Sequence, residues 1–298
     1  MSAAVPLPAG TLLRRRFELT AIIGQGATGT VYRGIDHRWR RVGAGQAEVA
    51  VKIARDRAWA GPRIRYEGHV LGRLRHPHLV RLRATGRAGG LAFLALDLLS
   101  GETLAQRLGK RSGRGLDVET ALRIVDGLGA ALGHLHRLGL IHGDVKPGNV
   151  MLGPDGHAVL IDLAASRAFL PWTRGAGDDI TPAYASPARL AGLPPDPRDD
   201  VFALAMVACT MLAGRHPFAG RPVTEAPAPG RPPGLDGARW AVLSRGLAPE
   251  ARTRPRDPAA FAARLRHPGP VDRLRGWGAA LALPHPRPAP ILLRTQSG

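Results

Sequence analysis

Asparagine occurs once among the 298 residues, at Asn149, and lysine three times, at Lys52, Lys110 and Lys146. Every other basic residue apart from histidine is arginine, so positions that tolerate arginine have taken it. Lys110 lies in GKRSGR, a basic stretch that reads as a loop. Lys52, in VAVKIA, and Lys146 and Asn149, in IHGDVKPGNVML, stand against the drift toward Arg, Ala, Gly and Pro. A compact ammonium and a neutral amide do things that a guanidinium fork or a carboxylate cannot. Chemistry is therefore expected in those two stretches.

Other shortages exclude whole classes. With Cys209 as the single cysteine there is no intrachain disulfide. It sits in VFALAMVACTMLAG, as an inert core residue rather than a reactive thiol. That apolar run is too short for a comfortable membrane span and reads as a buried helix. The N-terminal stretch MSAAVPLPAGTLLRRRF has no long apolar core followed by a cleavage site, so a soluble cytoplasmic protein is expected. Hydrophobic content of 44% with 22% charged residues argues against general disorder. What is abundant is positive charge, +19 formally, with a pI near 11.6. That invites a nucleic-acid reading. The arginines are scattered, though, and no zinc spacing, RNP motif or basic heptad accompanies them. General attraction to anionic partners is the better reading, with no specific nucleic acid.

Residues 1–11 read as a short tail. From Phe17 to about Leu98 the β-rich runs FELTAIIG, TVYRGI, EVAVKIA and LAFLALDLL are interrupted by one helix near 62–75, ending at His76-Pro77. From about Leu99 the pattern turns helical. Residues 117–138 show helical apolar spacing despite several glycines. NVML and AVLID read as short strands, 219–236 as a Pro/Gly loop, and 238–247 with 258–266 as a closing helical pair. Residues 268–298 are Pro-rich with little periodicity and read as a loosely ordered tail. There is no internal repeat.

GQGATGTVY, residues 24–32, spells G-x-G-x-x-G-x-V between two strand-like runs. A dinucleotide-binding loop with this spacing leads into a helix, whereas TVYRGI continues as a strand. The element is a hairpin whose glycines let backbone approach a polyphosphate, or merely a tight turn. Lys52 is a mid-strand lysine among apolar residues. Glu67 follows on the expected helix, where Leu71 and Leu74 continue its apolar face. It either pairs with Lys52 or is solvated. HGDVKPGNV then sets Asp144, Lys146 and Asn149 on one loop, and Asp162 follows the apolar strand AVLI. Phosphoryl transfer needs such parts: a carboxylate for the attacking hydroxyl, a cation for the moving charge, and two oxygen ligands for Mg²⁺.

These ordered motifs resemble the eukaryotic-like Ser/Thr protein kinase family of the kind bacteria also carry, over about residues 17–266. The resemblance implies an α+β, bilobal fold, with a small β-rich N-lobe holding one main helix (about 12–96) and a larger helical C-lobe (about 97–267). It implies an ATP- and Mg²⁺-dependent enzyme acting on Ser/Thr hydroxyls of protein substrates. Gly24, Gly26 and Gly29 match the phosphate loop, and Lys52 and Glu67 the lysine–glutamate pair. Ile23, Val31 and Ala50 fall among the nucleotide-contacting positions. Leu96 would be the gatekeeper, and Asp97 to Leu99 the hinge beside adenine. Asp144 matches the catalytic base, Lys146 the lysine of Ser/Thr-type loops, and Asn149 and Asp162 the metal ligands. Thr181-Pro182-Ala183-Tyr184 resembles the segment that receives the peptide, with Thr181 bracing Asp144 and Lys146. Asp200 matches the buried aspartate of the large helix, Arg254 the late arginine, and Leu71, Leu82, His142 and Leu163 the spine joining the lobes.

Four departures stand out. Gly143 replaces the arginine of His-Arg-Asp, and with it the usual receiver of a loop phosphate, for which Ser166 and Thr173 are the available hydroxyls. Asp162-Leu163-Ala164 replaces Asp-Phe-Gly. Ala188 stands where Ser-Pro-Glu would place its glutamate, leaving Arg254 without its usual partner. The Pro/Gly stretch 219–236 replaces a helical region. Two other readings compete. A pseudokinase scaffold would not need Lys52, Asp144, Asn149 and Asp162. An aminoglycoside-type phosphotransferase fits His142-Gly143-Asp144 but not Lys146 or TPAY.

Overall fold

The computed structural model describes residues 6–26, 28–41, 47–168, 181–225, 227 and 229–278. Six strands, β1 (Leu12–Leu13), β2 (Phe17–Gln25), β3 (Gly29–Asp36), β4 (Glu48–Ala54), β5 (Leu82–Ala88) and β6 (Leu91–Asp97), form an antiparallel sheet in the order β1-β2-β3-β4-β6-β5. Side chains alternate across a strand. Val49, Val51 and Ile53 of β4 therefore join Phe17, Leu19 and Phe93 in a core on one face. Ala54, Leu94 and Leu96 pack from the other face with Ile64 and Leu71 of helix α2 (Ala60–Leu71); α1 is the short basic helix His37–Arg41 that precedes β4. Lys52, even-numbered on β4, shares the α2 face.

Helix α2 is shorter than the spacing suggested. It stops at Leu71, and Arg73 and Leu74 tighten the exit by donating to the Val70 and Leu71 carbonyls. Leu74 is still buried, but from the turn. Strand β5 was not legible, because LRATGRA is polar and holds a glycine. It lies at the sheet edge, where such residues are tolerated. Of the expected tail, Leu7 and Gly10 are tied to the sheet. Gly10 N–H donates to Leu19 O at 2.7 Å, and Leu7 N–H to the Tyr32 hydroxyl at 2.8 Å.

The rest is mostly helical. Short strand β7 (Glu102–Thr103) leads into α3 (Leu104–Gly109) through a Thr103–Gln106 capping box. Helix α4 (Val118–Arg137) is capped by Asp117, and β8 (Leu140–Ile141) follows it. The hairpin β9 (Val150–Leu152)–β10 (Ala158–Leu160) extends from the HGDVKPGN loop, and β11 (Arg167–Ala168) pairs back on β8. Then come α5 (Pro187–Leu190), α6 (Pro197–Ala213), α7 (Gly237–Gly246), α8 (Pro258–Arg266) and α9 (Pro270–Gly278). Helix α6 is apolar on all sides and buried from Asp199 to Leu212, as a central helix must be. Burial pushes the Cys209 thiol up to about 12, so it stays an inert thiol. Among the described residues no helix is long and apolar enough to cross a membrane.

Among the described residues of the 219–236 stretch, the regular structure is a single 3-10 turn at Val223–Glu225. Helix α9 departs from the expected loose tail. Its Asp272 is buried, accepts from Arg264 of α8 at 2.6 Å, and caps Gly269 N–H. Nine residues flanked by prolines show too little periodicity to be read as a helix from sequence. Sheet at one end and helices at the other give the α+β class expected.

Candidate active site

The Lys52 ammonium is buried, with 8% of its side chain exposed, and donates at 2.8 Å to both Glu67 and Asp162. Burial works to lower its pKa, but the two carboxylates outweigh burial and raise it, so Lys52 is a fixed cation. Glu67 is fully buried, and loss of water pushes its carboxyl up while Lys52 opposes that shift. Its second oxygen accepts Leu163 N–H at 3.2 Å. Asp162 is pushed up by desolvation and pulled further down by Lys52, so its carboxyl lies below the usual range. Its backbone is left-handed, φ 64°, an uncommon state for a non-glycine residue. Strand β4, helix α2 and the exit of β10 thus meet at one ammonium.

The second cluster is the loop 142–149. Asp144 Oδ1 accepts from the Thr181 hydroxyl at 2.7 Å, and Lys146 donates to Thr181 Oγ1 at 2.7 Å. Lys146 also lies 2.7 Å from Asp144 Oδ2. Asn149 donates through Nδ2 to Asp144 O and Oδ2, at 2.8 and 2.9 Å, which leaves its Oδ1 as an acceptor. The two clusters are stitched together by Ile161 N–H donating to Asn149 O at 2.8 Å. The loop is hung from Asp200, which opens α6 and accepts His142 and Gly143 N–H at 2.8 and 2.9 Å. Burial raises the Asp200 carboxyl, but His136, 2.8 Å away, and the loop amides bring it net below its usual value. Gly143 has φ 79°, a left-handed state that a side chain would strain.

The hairpin β2–β3 carries the glycines. Gly24 pairs with Val31 across it, and Gly26 N–H donates to Gly29 O at 2.9 Å. A Cβ on Gly29 would lie 2.0 Å from Ile53 O, so only glycine lets the hairpin lie this close to β4. Ile23 is exposed on this hairpin. Val31 pairs with Lys52, and Ala50 with Leu96, in the sheet register. Leu96 is buried, and Leu99 half-buried beyond it. Asp97 turns its carboxylate to Arg83 at 2.5 Å and its N–H to Arg81 O.

Leu71, His142 and Leu163 are fully buried, and Leu82 is half-buried against the same core. One expectation needs correction and another an addition. Arg254, without its usual partner, has a different one: Asp199, not singled out from the sequence, lies 3.4 Å away. Its only sequence signal was the D-x-x-D capping box at the start of α6, where Asp199 answers Asp196. Ser166 is buried, so it is no accessible phosphate acceptor. Thr173 lies outside the described residues.

The family described as protein kinase domain matches residues 17–228. Over 222 residues the chain is 32% identical to the serine/threonine-protein kinase PknA of Mycobacterium tuberculosis, covering 71% of this chain and 50% of that relative. Identity to PknL of the same species is 34% over 218 residues, covering 70% and 52%. Identity to the DNA damage-responsive serine/threonine-protein kinase RqkA of Deinococcus radiodurans is 34% over 223 residues, covering 72% and 32%. The chain thus spans about half the length of these curated relatives, or less. Among solved structures, the PknI kinase domain of M. tuberculosis aligns with a TM-score of 0.68 at 28% identity, covering 88% of this chain and 99% of that one.

Proposed function

This chain belongs to the protein kinase domain family, and from that premise we propose that it transfers the γ-phosphoryl group of ATP to Ser or Thr hydroxyls of protein substrates. The catalytic unit spans about residues 12–267. Gly24, Gly26 and Gly29 let backbone cover the phosphates. Lys52, fixed by Glu67, binds the α- and β-phosphates. Ile23, Val31, Ala50, Leu96 and Leu99 offer apolar surface to adenine, beside the Asp97 carbonyl. Asn149 Oδ1 and the Asp162 carboxylate are hard oxygen donors of the kind Mg²⁺ takes, few enough to leave room for phosphate and water ligands. They would hold Mg²⁺, which would supply charge neutralisation to the transferring phosphoryl group. Asp144 orients the attacking hydroxyl and takes its proton. Lys146, beside it, balances the negative charge that gathers on the moving phosphoryl group.

The observation that carries this reading is Thr181 bonded to both Asp144 and Lys146. It ties the base to the segment that in protein kinases receives a peptide, which favours a protein substrate over a small molecule. The retained Lys52–Glu67 and Asp144–Asn149 contacts favour an enzyme over a scaffold. The test is labelled ATP, Mg²⁺ and a generic basic protein. Label is expected on serine or threonine. Asp144→Asn should lower turnover about two to four orders of magnitude, with nucleotide affinity nearly unchanged. An equally active Asp144→Asn variant refutes the assignment.

A further inference from the structure

Among the described residues Arg254 is the buried arginine, with none of its side chain exposed. It donates to Ala248 O and Pro249 O, each at 2.7 Å, and to Arg198 O at 3.3 Å, and lies over the Phe202 ring. Those carbonyls take up only some of its five N–H donors and leave its charge unbalanced, and a buried charge without a counter-charge is strongly destabilising. The balancing carboxylate is Asp199, on the first turn of α6.

Asp199 does more than neutralise. Its Oδ2 accepts Asp196 N–H at 2.8 Å, closing the capping box of α6. Its Oδ1 accepts the buried Ser186 hydroxyl at 2.7 Å. Ser186 in turn caps α5, accepting from Arg189 N–H at 3.3 Å. One carboxylate therefore links Arg254, the start of α6 and the end of the segment that begins at Thr181. Between Thr181 and Ser186 the chain is a single 3-10 turn, Pro182–Tyr184, with Ala185 N–H donating back to Thr181 O. A shift at Ser186 has little slack to be absorbed before it reaches Thr181, and Thr181 touches Asp144 and Lys146.

We propose that Asp199 is a positioning residue. It supplies from α6 the negative charge that Ala188 cannot supply from the segment, and so holds residues 181–190 in register with the Asp144 loop. This rests on the kinase reading above for its catalytic consequence, but not for the anchoring itself.

The test uses the full chain with Asp199→Ala, Asp199→Asn, Ala188→Glu and the Asp199→Ala, Ala188→Glu double variant. With Asp199→Ala the KM for a peptide substrate should rise at least about tenfold, with the KM for ATP changed less than about twofold. Asp199→Asn keeps hydrogen-bonding atoms for Ser186 and Asp196 N–H but not the charge, so it should give an intermediate rise if Asp199→Ala fails to fold. The double variant should bring the peptide KM back to within about threefold of the parent. An unchanged peptide KM in both single Asp199 variants overturns the proposal, and so does a double variant no better than Asp199→Ala. Amide hydrogen exchange at Ala185–Ala191 gives a readout without catalysis. It should quicken in Asp199→Ala and slow again in the double variant. A parent protein with no transferase activity but this exchange pattern sinks the kinase reading and leaves the anchor standing. Unaltered exchange sinks the anchor.

Discussion

At the scale of single residues the drift toward arginine is itself an experiment. Lys52 sits between Glu67 and Asp162, 2.8 Å from each, in a space closed by the sheet and α2. A guanidinium there keeps the charge but is wider, planar and committed to a fork geometry. Lys52→Arg should fold, and kcat/KM should fall at least about a hundredfold, the scale of a roughly 1 Å misplacement of a positioning group. Steady-state kinetics beside a thermal melt checks both halves. A fully active arginine variant would remove the reason given for lysine's survival at this position. Asp162 shows the complementary point. Its left-handed backbone is invisible in the letter sequence, which shows only an aspartate after an apolar run.

Elements impose their own limits. The β2–β3 hairpin lies against β4 only because Gly29 has no Cβ, which would otherwise stand 2.0 Å from Ile53 O. Gly29→Ala must push the hairpin off β4, and the backbone that would cover the phosphates moves with it. The KM for ATP should rise about tenfold or more while the peptide KM holds, since 1.4 kcal/mol suffices. Kinetics with each substrate varied in turn separates the two. The stretch after Asp162 makes a different prediction. A phosphate switch needs a cation to receive the phosphate, and Gly143, at φ 79°, offers none. Ser166 is buried, so Thr173 is the acceptor to test. Phosphatase-treated protein and Thr173→Ala should keep activity within about threefold of the untreated parent. A loss beyond about tenfold, roughly 1.4 kcal/mol, would mean that another cation, such as Arg167 or Arg174, receives a phosphate.

Across the whole molecule, a row of imidazoles marks the seam between the sheet and the helices. His76 and His78 lie in the turn between α2 and β5, His134 on α4, and His157 in the β9–β10 hairpin. Ring centroids are 5.3 Å apart for His76–His134, 5.7 Å for His76–His78 and 4.4 Å for His78–His157. His78 N–H lies 3.2 Å from His76 Nδ1, which must be unprotonated to accept it. Burial, then His134, His78 and Arg137, hold the His76 pKa below its usual value. The unfolded chain therefore takes up a proton below about pH 6.5 that the folded chain resists. This contribution to stability is complete above that pH and is lost as pH falls through it toward the depressed folded value. The melting temperature should decline below about pH 6.5. His76→Asn keeps an acceptor for His78 N–H and cannot titrate, so it should flatten that decline. An identical pH slope in the variant would show that His76 does not carry it.

The sequence by itself picked out positions that the structure gathers into one site. The retained Lys52, Lys146 and Asn149, the order of glycine loop, lysine, glutamate and HGDVKPGN, and the apolar run of α6 are all readable because they depend on residue type and short spacing. The strands flanking Lys52 and the long helix 118–137 were legible for the same reason, as periodicity is a local property. What only the tertiary structure decided depends on partners far apart in the chain. Glu67 could have been solvated, and it is buried because α2 packs on the Lys52 face of the sheet. Strand β5 exists because an edge strand needs a neighbour more than it needs β-forming residues. Helix α9 stands because it packs on α7 and Arg264 of α8 meets its buried Asp272. Arg254 reads as lacking its usual partner when the expected glutamate is missing, and finds another because α6 delivers Asp199 to it. A charge can be balanced from any element that reaches it, and reach is a property of the fold.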